Sequence, residues 1–205
     1  MAARLCHDLV GPIGAVSNGV ELLGDGGPPD PEVNALIAQS ARQAARRLQW
    51  FRIAFGTANA LPASGILAET GRLASGLYEE GRVTLDWPSP DADAEAAASR
   101  LAAKIILNLA LLALEVLPRG GSVQARLAGS GGALSVQMTA TGSGARIPDD
   151  IQVALKPGAS SAELTPKSIP AFLAVRVAEA IGTRINQSAS ADRVEFLISV
   201  PTAAA

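Results

Sequence analysis

Two apolar stripes at helical spacing, separated by a turn-forming cluster, constrain this 205-residue chain more than any other feature. Leu5, Leu9, Ile13, Val16, Val20 and Leu23 form the first, and Val33, Ile37, Ala41, Ala44, Leu48, Phe51 and Phe55 the second. Steps of three and four residues place each set on one side of an α-helix. Between them, Gly24-Asp25-Gly26-Gly27-Pro28-Pro29-Asp30 ends the first helix. Asp30 followed by Pro31 reads as an N-cap with proline at the first helical position, so the second helix is predicted from about Pro31 to Phe55. One such hairpin buries each stripe against a single neighbour. Pairing two hairpins into a four-helix bundle covers both stripes, and the spacing therefore predicts a homodimer.

Gly56 to Gly65 is small, polar and proline-containing and reads as a linker, dividing a helical unit at 1–58 from a second unit at 61–205. Beyond it the period switches repeatedly. Ile66 to Tyr78 reads as helix and Arg82 to Trp87 as strand; Ala94 to Leu117 reads as one long helix closed by Pro118 and Gly120-Gly121. Ser122 to Leu127 and Leu134 to Thr139 are strands joined by the turn Gly129-Ser130-Gly131-Gly132. After a polar, glycine-rich stretch, Ile169 to Ile181 is a helix ended by Gly182, and Thr183 to Ser188 with Val194 to Val200 form a last strand pair. This order predicts a sheet with helices packed against one face, an α/β sandwich.

Charge and composition exclude several classes. With 17 basic and 19 acidic residues and no basic block, the chain carries no electrostatic footprint for nucleic acid. Cys6 is the single cysteine, which precludes an internal disulfide and suits a reducing cytoplasm. The most apolar run, Ile105 to Leu114, contains Asn108 and lies between Lys104 and Glu115, too short to span a bilayer. Asp8 interrupts the first helix, which does not read as a secretory signal. A soluble cytoplasmic protein without a membrane segment is expected.

His7 is the only histidine, and it falls nearly opposite the first apolar stripe. It should face solvent, where a largely neutral imidazole offers a ring nitrogen able to attack phosphorus. Asp8, next in sequence, can orient or polarise that ring. Pro12 has no N–H to donate to the carbonyl of Asp8 four residues back, so the helix should bend or loosen one turn after the histidine. Arg4, Gly11, Gly14 and Asn18 return to the face of His7. A face so short of bulk suits either the close approach of another protein or tight packing between helices of this one. Arg4 reads as solvated, or as a counter-charge to a phosphoryl group. Arg42, Arg46, Arg47 and Arg52 lie mostly off the second stripe and read as a solvated face, or for some of them as contacts to an acidic partner.

The string His7-Asp8-Leu9-Val10-Gly11-Pro12-Ile13 resembles the phospho-acceptor box of two-component sensor kinases, with Gly11 where those kinases usually carry Thr or Asn. Leu107 to Ala113 resembles their asparagine box, with Leu112 at the position of the magnesium-binding asparagine. Ala140-Thr141-Gly142-Ser143-Gly144 resembles the first glycine box, with Ala140 replacing the aspartate that reads adenine, and Gly142 and Gly144 reading as a turn. Ser168-Ile169-Pro170 lacks the glycines of the second box.

A histidine box on a dimerising hairpin, followed by a kinase-like domain stripped of nucleotide contacts, resembles the ChpT family of histidine phosphotransferases in alphaproteobacterial phosphorelays. The resemblance implies a dimeric four-helix bundle followed by a degenerate histidine-kinase-type ATPase α/β sandwich. It implies His7 as phospho-acceptor, Asp8 as its orienting group, and docking of receiver domains around Arg4, Gly11, Gly14 and Asn18. The phosphoryl group would pass from the receiver of a CckA-like hybrid kinase to CtrA-like and CpdR-like response regulators. The chain would bind no nucleotide or metal of its own, Mg2+ being held by the partner receiver. Two other readings stay open: an ATP-dependent kinase with an atypical site, which would label itself, and a non-catalytic receiver-binding adaptor, indifferent to loss of His7.

Overall fold

A computed structural model describes residues 2–24, 30–56, 61–79 and 81–201 of the chain. Helices α1 (Ala2–Gly24) and α2 (Pro31–Ala54) form the predicted hairpin. The Asp30 carboxylate accepts from the Glu32 N–H at 2.8 Å, the N-cap expected from sequence. Residues 25–29, most of the predicted turn, lie outside the described residues. The two helices approach closely at Gly19, where a Cβ would stand 2.5 Å from Ile37 Cγ1. A glycine there costs helix stability of about 1 kcal/mol and is offset by that approach.

The second unit runs α3 (Ile66–Tyr78), β1 (Val83–Asp86), α4 (Ala92–Ala97), α5 (Arg100–Glu115), β2 (Gly121–Ser130), β3 (Ala133–Thr141), α6 (Asp149–Ala154), a 3-10 turn (Ser161–Glu163), α7 (Ile169–Ala180), β4 (Asn186–Ser190) and β5 (Arg193–Pro201). Its sheet has the order β1-β2-β3-β5-β4, with β1 parallel to β2 and the other pairs antiparallel. Leu134, Val136, Met138 and Ala140 of β3 alternate inward, as do Val194, Phe196, Ile198 and Val200 of β5, all fully buried. That period of two leaves the opposite face of the sheet polar, the layering predicted for helices on one side only.

Three expectations need correction. The run read as one helix from Ala94 to Leu117 is two, α4 and α5. Ala98 is extended (φ −70°, ψ 143°), and the Ser99 hydroxyl then caps a new helix by accepting from Ala102 N–H at 3.1 Å. A serine inside an alanine-rich run was the overlooked start signal. The β2–β3 turn is tighter than expected: Ser130 pairs with Ala133 across Gly131-Gly132, whose φ values of 58° and 77° fit a two-residue hairpin loop. Finally, the polar stretch after β3 contains α6, which the sequence reading missed.

The hairpin and the second unit share one core. Trp50, Phe51 and Phe55 at the end of α2 cluster with ring centroids 5.1–5.6 Å apart and join the buried residues of α3 and α5. The last carbonyls of a helix lack intrahelical donors. Here Asn108 of α5, fully buried, donates from Nδ2 to the Ala54 carbonyl at 2.8 Å, and Lys104 Nζ donates to that of Gly56 at 2.7 Å. Tyr78 Oη donates to the Ala110 carbonyl at 2.6 Å, and burial pushes its phenol up, keeping it a neutral donor. Residues 57–60 of the expected linker lie outside the described residues, whereas Leu61 is buried in the shared core.

Candidate functional site

His7 stands on α1 with its side chain 77% exposed, on the solvent side as predicted. Its Nδ1 lies 2.8 Å from Asp8 Oδ1. A carboxylate can only accept, so Nδ1 carries the proton, and in the neutral ring the lone pair is on Nε2, which points away from this contact. The other Asp8 oxygen, Oδ2, accepts from Arg4 Nε at 2.8 Å, and Arg4 Nη1 donates to Glu115 Oε1 at 2.6 Å. Both oxygens of Asp8 are therefore occupied, and its side chain is only 14% exposed.

Arg4 departs from the sequence reading. Expected on the open face as a docking residue, it is buried, with its guanidinium between two carboxylates. Its position lies only about 60° around the helix from His7. The long aliphatic stem lets the charged group turn inward to α5, a choice that face counting cannot see.

Pro12 is buried inside α1, and the helix continues through it. The Asp8 carbonyl that Pro12 leaves without an N–H partner is taken by Arg47 Nη1 from α2. Arg47 is thus not part of a solvated face, and neither is Arg46, which pairs with Glu79 at 3.0 Å. Sequence reasoning found the free carbonyl but missed the arginine that fills it. It also missed Glu115, although an acid in the last turn of a helix faces the negative end of the macrodipole and calls for a cation.

Gly11 and Asn18 are exposed and Gly14 is half-buried. A Cβ built on either glycine meets nothing within 4 Å, so neither serves packing inside the chain. The apolar stripes themselves remain partly uncovered: Ile13, Val20 and Leu48 are each more than half exposed. Beside Leu48 an open groove of about 650 Å³ is lined by Leu5, Phe51, Phe55, Gln49 and Arg52.

The positions matching the nucleotide boxes do not fit a nucleotide. Ala140 is fully buried in β3 and offers no acceptor for an adenine amino group, and Leu112 is fully buried in α5 with no ligand atom. Gly142 packs on the Gly120 carbonyl, where a Cβ would stand 2.2 Å away, and Gly144 N–H donates to Asp192 Oδ1 at 2.7 Å. At the start of α7, Pro170 has no N–H, and Ile169 and Pro170 are buried side chains where a phosphate site needs bare backbone. Among the described residues no group of three or more His, Cys, Asp or Glu could hold a metal ion, and no helix is long and apolar enough to cross a membrane.

The architecture is that of a histidine kinase core. The Acinetobacter baumannii histidine kinase AdeS superposes with a TM-score of 0.50 at 14% identity, covering 97% of this chain and 98% of that one. On that scaffold the chain carries an exposed, acid-paired histidine. Residues 67–193 match the family model for the histidine phosphotransferase C-terminal domain. The chain is 33% identical to protein phosphotransferase ChpT of Brucella abortus (strain 2308) over 200 residues, 96% of this chain and 91% of that protein. A bacterial phosphotransferase solved at 1.7 Å superposes with a TM-score of 0.74 at 30% identity, covering 97% and 93% of the two chains. The chain belongs to the histidine phosphotransferase family.

Proposed function

We propose that His7 is the phospho-acceptor of this phosphotransferase, carrying a phosphoryl group between the aspartates of two receiver domains without nucleotide. The observation that carries the reading is the Nδ1–Asp8 contact, which leaves Nε2 as the open nucleophile. In the forward step the Nε2 lone pair forms the N–P bond. The P–O bond to the receiver aspartate breaks, and its electron pair leaves with that carboxylate. Positive charge gathered on the ring is shared through Nδ1–H with Asp8. Transfer to the second receiver is the same step reversed, so catalysis is mostly alignment.

Receivers seat on the small-residue face at Gly11, Gly14 and Asn18. The donor is the receiver of a CckA-like hybrid kinase, and the acceptors are CtrA-like and CpdR-like response regulators. Mg2+ is held by the receiver. Ala140 and Leu112 support a relay step without nucleotide rather than a kinase, and the relay is read as cytoplasmic. The test is label transfer to the purified chain. Label is expected from a prephosphorylated receiver and none from radiolabelled ATP alone; self-labelling by ATP would restore the kinase reading.

The working unit is a homodimer, supported by the exposed apolar side chains of the hairpin. A charge placed in such an interface is costly to bury. Replacing Ile13 and Val20 together by aspartate is expected to shift sedimentation from dimer to monomer while the far-UV spectrum is kept. A dimer that survives both changes would place the interface elsewhere.

A further inference from the structure

The carboxylate that orients His7 is itself held from the second unit of the chain. Three contacts run inward without a gap: His7 Nδ1 to Asp8 Oδ1 at 2.8 Å, Asp8 Oδ2 to Arg4 Nε at 2.8 Å, and Arg4 Nη1 to Glu115 Oε1 at 2.6 Å. Side-chain exposure falls along it from 77% at His7 to 14% at Asp8 and 8% at Arg4, and Glu115 is 16% exposed. We infer that Glu115 is a positioning residue for phosphotransfer, acting through Arg4 on Asp8 and so on the tautomer and orientation of His7. The inference rests on His7 being the phospho-acceptor.

Several features make this more than an ion pair between two units. Glu115 is the last residue of α5, whose residues from Ile105 to Ala113 are all buried, so its carboxylate projects from a fixed core element. The end of a helix disfavours an acid, and Arg4 supplies the compensating charge. Arg4 uses Nε on one carboxylate and Nη1 on the other, a bridge that needs the planar fork of an arginine and that a lysine ammonium cannot span with fixed geometry. Remove Glu115, and the guanidinium is free to leave Asp8 Oδ2. The Asp8 carboxylate then rotates about its last bond, and nothing selects the Nδ1–H form of His7. Arg47, holding the Asp8 carbonyl, fixes the backbone of that residue but not its carboxylate. A domain whose nucleotide positions are filled with apolar side chains thus keeps a task in the reaction: it anchors the orienting acid.

The experiment uses the full chain, with Glu115→Ala, Glu115→Gln, Arg4→Lys and His7→Ala. One readout is single-turnover transfer from a prephosphorylated receiver, resolved into maximal rate and half-saturating receiver concentration. The other is the ring 15N spectrum, which needs no assignment because His7 is the only histidine. Glu115→Ala is expected to lower the maximal rate about tenfold, with half-saturation unchanged and the Nδ1–H signature lost. Glu115→Gln still accepts from Arg4 and is expected to stay within about threefold with the signature kept. Arg4→Lys, which keeps the charge and loses the fork, should behave as Glu115→Ala and decides the matter should that variant be too unstable to assay. Wild-type maximal rate and an unchanged ring spectrum in Glu115→Ala, or in Arg4→Lys, would overturn the inference. Transfer that persists in His7→Ala would instead overturn the acceptor assignment, and the ring spectra would still report on the contact chain.

Discussion

A His7→Ala variant is expected to fold as the parent does and to accept no phosphoryl group. The side chain is 77% exposed, and it makes a polar contact to Asp8. Removing it should change stability by no more than about 0.5 kcal/mol, the usual range for surface substitutions. Its loss removes the only imidazole in the chain, so no other histidine can take over. Transfer from a prephosphorylated receiver should fall by more than about a thousandfold, because a covalent path without its nucleophile has no residual version. Label retained at the wild-type level would leave the chain a receiver-binding adaptor at this site, with phosphate carried elsewhere.

The second large effect is expected at Gly11, and its sign on stability is opposite to its sign on function. A Cβ there meets nothing within 4 Å, and a glycine inside a helix costs about 1 kcal/mol relative to alanine. Gly11→Trp should therefore fold at least as well as the parent, with the same oligomeric state. It places a large ring one turn from His7, on the face assigned to the receiver. Transfer should fall about a hundredfold, the scale expected when reacting atoms are held roughly 1 Å out of place. Gly11→Ala, adding one methyl, should lose far less. Unchanged transfer kinetics in the tryptophan variant would remove this face from the docking surface, and Gly14 and Asn18 with it.

Much of the fold could be read from local pattern. The stripes of α1 and α2, the Asp30 cap and the limits of α3 follow from spacing and turn chemistry, which act over a few residues. The break before α5 was missed because alanine-rich sequence fits helix throughout and only Ser99 marks the restart. The site divided in the same way. His7 and Asp8 are neighbours in sequence, and their pairing needs no fold beyond a helix. Arg47 and Glu115 lie 39 and 111 residues from the groups they hold, and nothing local singles them out.

By itself the sequence determined which residues are proposed to carry the chemistry: one histidine, an adjacent acid, and a glycine-bearing face around them. It also placed Ala140 and Leu112 at the positions that resemble the nucleotide boxes, where neither side chain carries a polar atom whatever the fold. Only the tertiary structure decided where the long charged side chains go. Arg4, Arg46 and Arg47 have enough reach and rotational freedom to face water or the core, and local spacing is indifferent between the two. Which way each turns depends on whether an acceptor waits at the far end, and those acceptors come from other elements: Glu115 from α5 for Arg4, Glu79 just after α3 for Arg46, and the Asp8 carbonyl of α1 for Arg47.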